Sequence, residues 1–229
     1  MLESVALGAV AQITLLLSGL VVFWIAIQDR QIGWLAGLGA GMMLAAVAFD
    51  LTDEAEALGS LGLAVWFLIG AAVFLVADRL VEARFGEGEG SALGIVLGSV
   101  VDGVPESLIF GIAVASGEPV SISFLAAVMI SNLPQALAPS AELKAQGWSM
   151  ARLAGMWGAV LVACGAASGL GFAIATLDPL AVGDRAAGLA AGGILAMLAV
   201  SLIPFAVQRG GNLAAVFMVA GFAASVALS

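Results

Sequence analysis

Asp102-Gly103-Val104-Pro105-Glu106-Ser107-Leu108 and Ser131-Asn132-Leu133-Pro134-Gln135-Ala136-Leu137 superpose when the chain is shifted by 29 residues. The shift carries Pro105 onto Pro134, Glu106 onto Gln135, Leu108 onto Leu137, and Asp102-Gly103 onto Ser131-Asn132. Each stretch lies near the middle of an apolar run long enough to cross a bilayer. Acids, amides and prolines are costly at that depth, so where they occur they mark a route for something polar.

The surrounding composition fits a bilayer. The chain has 229 residues, of which 62% are hydrophobic and 10% charged, and its mean hydropathy is +1.16. A soluble domain of this length cannot hide so much apolar surface, so the expectation is a polytopic helical membrane protein. The 30 glycines suit close helix–helix packing in lipid. The lone Cys164 rules out an internal disulfide and a multi-cysteine metal site. Histidine, the usual neutral-pH proton carrier and commonest metal ligand, does not occur.

Eight spans can be drawn, at about residues 5–27, 33–51, 61–77, 93–115, 120–143, 153–177, 186–207 and 212–228. The first starts beside Glu3, with no Lys or Arg, and is too long for a signal peptide, so it reads as a retained span. All connections are short, which leaves one transmembrane domain over residues 1–229. Arg30, Arg79, Arg84, Lys144, Arg152 and Arg209 fall in or beside loops 1–2, 3–4, 5–6 and 7–8, and only Arg185 falls on the other side. The positive-inside rule then puts those four loops in the cytoplasm and both termini outside, in a cytoplasmic (inner) membrane.

A second self-similarity spans 151 residues. Gly37-Leu38-Gly39-Ala40-Gly41, Leu44-Ala45, Ala48, Leu51 and Ala55 meet Gly188-Leu189-Ala190-Ala191-Gly192, Leu195-Ala196, Ala199, Leu202 and Ala206. Span 2 runs outward and span 7 inward, and similar sequence in opposite orientation is what an inverted repeat produces. Spans 4 and 5 are likewise antiparallel and alike. The chain therefore reads as an all-α membrane protein of three helices, a central pair and three helices. Gly37/Gly41, Gly165/Gly169 and Gly188/Gly192, small residues four apart, are assigned to packing. Glu87-Gly88-Glu89 reads as a solvated linker.

Ser99, Asp102 and Glu106 are spaced i, i+3, i+7 and share one face of span 4. Ser131, Gln135 and Glu142 form a stripe on span 5, with Asn132 beside it, and both sets lie near the same depth. Direct packing of spans 4 and 5 is expected, with Glu106 near Gln135. Pro105 and Pro134 leave the carbonyls of Val101 and Ile130 without their helical partners. Carboxylate, amide and carbonyl oxygens together suit a cation. Ser99 and Ser131 taken alone read more simply as hydrogen-bond ties between helices. Asp102 and Glu106 do not, because two carboxylates a turn apart in hydrocarbon persist best with a cation or shared proton between them. The acidic loop of Asp50, Asp53, Glu54 and Glu56 reads as solvated rather than as a cation funnel. Glu142 is either an exit ligand or the partner of Lys144 or Arg152.

At these residues the chain resembles the ZIP (Zrt/Irt-like) family of divalent metal transporters. That family has eight helices in a three-two-three arrangement with both termini outside. Its fourth and fifth helices each carry His-Asn-x-Pro-Glu-Gly or a close variant, which supplies the metal ligands. Glu106 and Asn132 match that motif. Asp102 stands where the first motif has histidine and Gly103 where it has asparagine; Ser131 leads the second motif and Gln135 replaces its glutamate. The run from Gly41 to Asp50 and the pair Asp78-Arg79 also look like the family. The resemblance implies a homodimer and movement of a transport bundle against a scaffold.

The first reading is a secondary transporter carrying a divalent cation through a midplane site between spans 4 and 5. Asp102, Glu106, Asn132, Gln135 and Ser131 would be the ligands, with Ser99 and Glu142 as secondary candidates. An all-oxygen set suits Mg²⁺, Mn²⁺ or Ca²⁺ better than Zn²⁺, with zinc and iron within reach of the carboxylates. The alternative is a ZIP-like membrane protein that has lost transport and serves as a sensor, an accessory subunit or a carrier of another polar solute. Neither enzyme activity, a cofactor nor a nucleic-acid partner is expected, since no nucleophile–base pair or cofactor motif occurs. The topology has a direct test. Cysteines placed at Ser60 and Ser91 should react with an impermeant thiol reagent from outside and inside respectively, and the reverse pattern sinks the map.

Overall fold

The computed structural model describes residues 1–52, 55, 58–85, 92–117, 119–177 and 182–228. The described residues are helical almost throughout. Among the described residues, seven helices are long and apolar enough to cross a membrane: α1 (Leu2–Val21), α2 (Asp29–Leu51), α3 (Gly59–Arg84), α4 (Gly94–Ser116), α5 (Ile122–Ala145), α6 (Met150–Leu177) and α7 (Gly183–Gly210). An eighth apolar helix, α8 (Asn212–Leu228), is shorter. The chain is thus a multi-pass α-helical membrane protein. Leu61, Leu68, Val73, Val76 and Leu80 of α3 are exposed, as a lipid-facing helix requires.

Two helix ends differ from the sequence-based spans. α1 stops at Val21 rather than near residue 27. The Lys144 ammonium donates to the Val22 carbonyl at 2.8 Å, and a cation on the last carbonyls stabilises a helix end. α2 then starts behind a capping box formed by Gln28 and Gln31. α3 continues two turns past residue 77, because Asp78, Arg79, Glu82 and Arg84 leave the hydrocarbon without leaving the helix. Glu87, Gly88 and Glu89 lie outside the described residues.

The principal packing pairs are α2 with α8, α3 with α7, α4 with α6, α1 with α6, α2 with α5, α2 with α7, α1 with α5, and α4 with α7. The closest approaches are made by glycine. A Cβ on Gly41 would fall on the Met218 carbonyl, and one on Gly221 on the Leu38 carbonyl, so α2 and α8 touch backbone to backbone. α3 and α7 do the same through Gly192 against Phe67 and Gly70 against Leu189. A shift of 151 residues carries Gly41, Leu38, Phe67 and Gly70 onto Gly192, Leu189, Met218 and Gly221. Gly37, Gly165, Gly169 and Gly188 also face neighbouring helices, as the sequence indicates. The same shift relates two further features. α2 ends in a π-helical segment, Val47–Leu51, and α7 contains another at Leu198–Leu202.

Pro105 lies inside α4, and Pro134 and Pro139 lie inside α5. The core joins Met43, Leu51, Phe110, Phe124, Ile194, Met197 and Leu198, all buried. Phe110 and Phe124 sit with ring centroids 5.1 Å apart, which couples α4 to α5.

The glycine contacts predict an asymmetric substitution result. Gly41→Ala or Gly192→Ala must push backbones apart, at a cost of about 1–3 kcal/mol. Gly155→Ala meets open space and should leave stability within about 0.5 kcal/mol. Thermal unfolding in detergent distinguishes them, and equal stability of all three variants would contradict the packing.

Candidate functional site

The polar residues of α4 and α5 divide into two groups. The first is dry and is assembled on α1. That helix is interrupted at Gln12, which has φ −92° and ψ 1° and separates Leu2–Ala11 from Ile13–Val21. The Leu15 N–H bonds the Gln12 carbonyl at 3.0 Å instead of reaching back to Ala11. The Ala11 carbonyl is met by the Asn132 amide at 3.5 Å. Asn132 therefore serves as a cap for a break in hydrocarbon, where an open carbonyl has no water to turn to.

The Gln12 side chain is fully buried. Its Nε2 donates to Glu106 Oε2 at 2.9 Å, and its Oε1 accepts from Asn132 Nδ2 at 2.7 Å. A chain of three side chains thus runs from α5 through α1 to α4. Gly103 lies beside it, where a Cβ would crowd the Cys164 sulfur at 2.7 Å and make ordinary contact with Gln12 Nε2 at 3.4 Å. Glu106 is 1% exposed, and its second oxygen, Oε1, has no hydrogen-bond partner.

The second group lines a cavity of about 210 Å³ between α4, α5 and α7. Ser99 and Asp102 come from α4, Gln135 from α5 and Ser201 from the π-helical segment of α7. Ile95, Pro139 and Phe205 carry the lining toward the ends next to loops 3–4, 5–6 and 7–8. The space is large enough for several waters, so the Asp102 carboxylate, one turn from Glu106, borders open space where Glu106 is buried.

The remaining candidates are elsewhere. Ser131 is buried under α2, where a Cβ on Gly39 would lie 2.6 Å from its Cα, and its hydroxyl bonds the Val128 carbonyl at 2.9 Å. Glu142 pairs with neither Lys144 nor Arg152. It accepts from Arg209 at 3.3 Å, and Arg209 also binds Asp29 at 3.1 Å, so one guanidinium ties the ends of α2, α5 and α7. Lys144 and Arg152 stack over Phe23 and Trp148 instead. Asp50 accepts from Ser121 at 2.9 Å and Ser123 at 2.5 Å, which latches the end of α2 to the start of α5. It is not a free member of a solvated loop. Asp53, Glu54 and Glu56 lie outside the described residues.

Direct packing of the two motif helices is corrected in part. α4 and α5 meet only over a short stretch, and Gln12 bridges Glu106 to Asn132 between them. Gln135 instead shares the cavity with Asp102. Gln12 and Ser201 are the residues that the sequence reading passed over. The available signal for Gln12 was a carboxamide halfway along an otherwise apolar span.

Among the described residues, no three His, Cys, Asp or Glu side chains converge. Any cation here would be held by two carboxylates with amide and hydroxyl oxygens, a hard-ligand set. No family model matches the chain, and no characterised protein matches it.

Proposed function

We propose that the chain is a ZIP-like secondary transporter that moves a divalent cation through the α4–α5 region. The observation that carries the reading is the state of the two α4 carboxylates. Asp102 opens onto a cavity, and Glu106, one turn away, is buried with one oxygen unused. A buried carboxylate with an orphaned oxygen is expensive in hydrocarbon unless a ligand uses it. Mg²⁺ and Mn²⁺ suit the oxygen donors best, and Zn²⁺ or Fe²⁺ fit less selectively.

The internal repeat supports a site reached alternately from two sides. We read the eight helices as three, two and three, inverted about the bilayer midplane. The eight packing pairs map onto themselves when α1, α2 and α3 are exchanged with α6, α7 and α8, and α4 with α5. The shifts of 29 and 151 residues carry Ser99, Asp102, Gln135 and Ser201 onto Val128, Ser131, Glu106 and Asp50. They likewise carry Ile95 and Pro139 onto Phe124 and Phe110. The first set lines an open cavity. Its counterparts Phe110, Phe124, Val128, Ser131 and Glu106 are buried at 2% exposure or less. In this reading the open cavity faces the cytoplasm, on the side of the basic loops. The outward-facing state would part Phe110 from Phe124.

Two experiments test the proposal. Glu106→Gln is nearly isosteric and should leave the protein folded, yet remove most divalent-cation transport in vesicles. Asp102→Asn should act in the same direction less completely, and Ser107→Ala should do little. Full transport by Glu106→Gln would favour a transport-inactive sensor, accessory subunit or carrier of another solute. The second test is accessibility. In a Cys164→Ala background, Ala127→Cys on the closed side should react slowly with an impermeant reagent applied outside. Cytoplasmic Mn²⁺ that traps the inward state should slow that reaction further. Complete protection in every condition would argue against an outward-open state.

A further inference from the structure

We propose that Gln12 is a positioning residue of the cation site, a reversible clamp on Glu106 whose carboxamide turns over when a divalent cation binds. The inference rests on the transport reading above and adds a residue from α1 to it.

The polarity of the present bonds fixes which way the carboxamide points. Asn132 Nδ2 is a donor and needs an acceptor, so Gln12 Oε1 faces α5 at 2.7 Å. Glu106 Oε2 needs a donor, so Gln12 Nε2 faces α4 at 2.9 Å. The result is a Glu106 carboxylate held against α1 and absent from the cavity that Asp102 lines. Asp102 and Glu106 lie on one face of α4, so a cation between them would need Glu106 free of that hold.

A bound cation reverses what Glu106 requires of its neighbour. A carboxylate oxygen that ligates a metal no longer needs the amide hydrogen, and a carboxamide oxygen is itself a ligand for hard cations. Rotation of Gln12 about its last side-chain bond exchanges Nε2 for Oε1. Asn132 is also a carboxamide and can turn in step, offering its oxygen to Gln12 Nε2. The chain of amides therefore has a second arrangement of opposite polarity, in which Asn132 Nδ2 gives up the Ala11 carbonyl that it meets at 3.5 Å. Turning only one of them would set donor against donor or acceptor against acceptor, which costs about 1–3 kcal/mol for each buried group left unpaired.

The backbone around Gln12 suits such a role. The residue sits at the interruption of α1, outside both regular segments. A plain structural tie between α1, α4 and α5 would use the same bonds, so the test must separate the two.

The test uses the full-length protein in detergent and Mn²⁺ as the probe, with affinity from calorimetry and stability from metal-free thermal unfolding. The proteins are the parent, Gln12→Met, Gln12→Asn, Glu106→Gln and the Gln12→Met/Glu106→Gln pair. We expect Gln12→Met to bind Mn²⁺ at least about tenfold more weakly, as the loss of an orienting partner does at other metal sites. Gln12→Asn, an amide one methylene shorter, should lie between it and the parent. The pair should bind no more weakly than Glu106→Gln alone, because the clamp acts through that carboxylate. A Gln12→Met protein with parental affinity and only a lower unfolding temperature would overturn the inference and leave a structural tie. If Gln12→Met does not fold, parental affinity in Gln12→Asn overturns it equally. Failure of the parent itself to bind Mn²⁺ would bring down the transport reading, an outcome separable from failure of the Gln12 variants alone.

Discussion

A carboxylate inside hydrocarbon has no water to share its charge with, and much of this bundle answers that constraint at Glu106. The answer is not a counter-charge, since no Lys or Arg lies at that depth in any span. It is a single amide hydrogen bond from Gln12, which is held in turn by Asn132. That arrangement requires α1 to reach both α4 and α5. It is accompanied by a break in α1 that Asn132 then caps. Residues far apart in the chain, a glutamine at 12, a glutamate at 106 and an asparagine at 132, are thus joined by one electrostatic need.

The frame that holds this arrangement is built differently, from contact between backbones. Lipid tails are as apolar as leucine side chains, so burying leucine drives little association within a bilayer. Gly41, Gly221, Gly70 and Gly192 instead bring α2 against α8 and α3 against α7 until carbonyls stand where a Cβ would be. Contacts that close leave little freedom for the outer pairs to deform. Movement is more easily accommodated at the π-helical segments Val47–Leu51 and Leu198–Leu202, where the regular ladder is already interrupted. Both segments adjoin the polar residues: Asp50 is latched to Ser121 and Ser123, and Ser201 faces the cavity.

The spans, their order and the two self-similarities were legible in the sequence because each is a local or periodic property. Helix ends were legible only where composition decides them. The stop after Val21 depends on Lys144, 122 residues away, so no window around α1 contains it. The same limit explains Glu142. Its neighbours in sequence, Lys144 and Arg152, were the natural partners to consider, but Arg209 lies 67 residues on and reaches it through the fold. Expecting α4 and α5 to pack directly took likeness of sequence for proximity. Two helices of similar sequence need not touch along their length, and here α1 supplies the link between them. Gln12 was hidden for the opposite reason, because one amide in an apolar span raises no periodic signal.

The repeat also makes its own departures informative. Its two halves share glycines, prolines and π-helical segments but not their polar residues. Asp50 is matched by Ser201, Glu106 by Gln135, and Asp102 by Ser131. The open cavity therefore collects one carboxylate, Asp102, with Gln135, Ser99 and Ser201. Its closed counterpart would collect two, Glu106 and Asp50, with Ser131. Under the proposed alternation, a cation would meet more negative charge when facing outward than when facing inward. The electrostatic part of its binding would weaken as the bundle turns, because one carboxylate, Asp102, stands on one side where Glu106 and Asp50 stand on the other. Such a gradient does not set the direction of net flow, which belongs to the ion gradients.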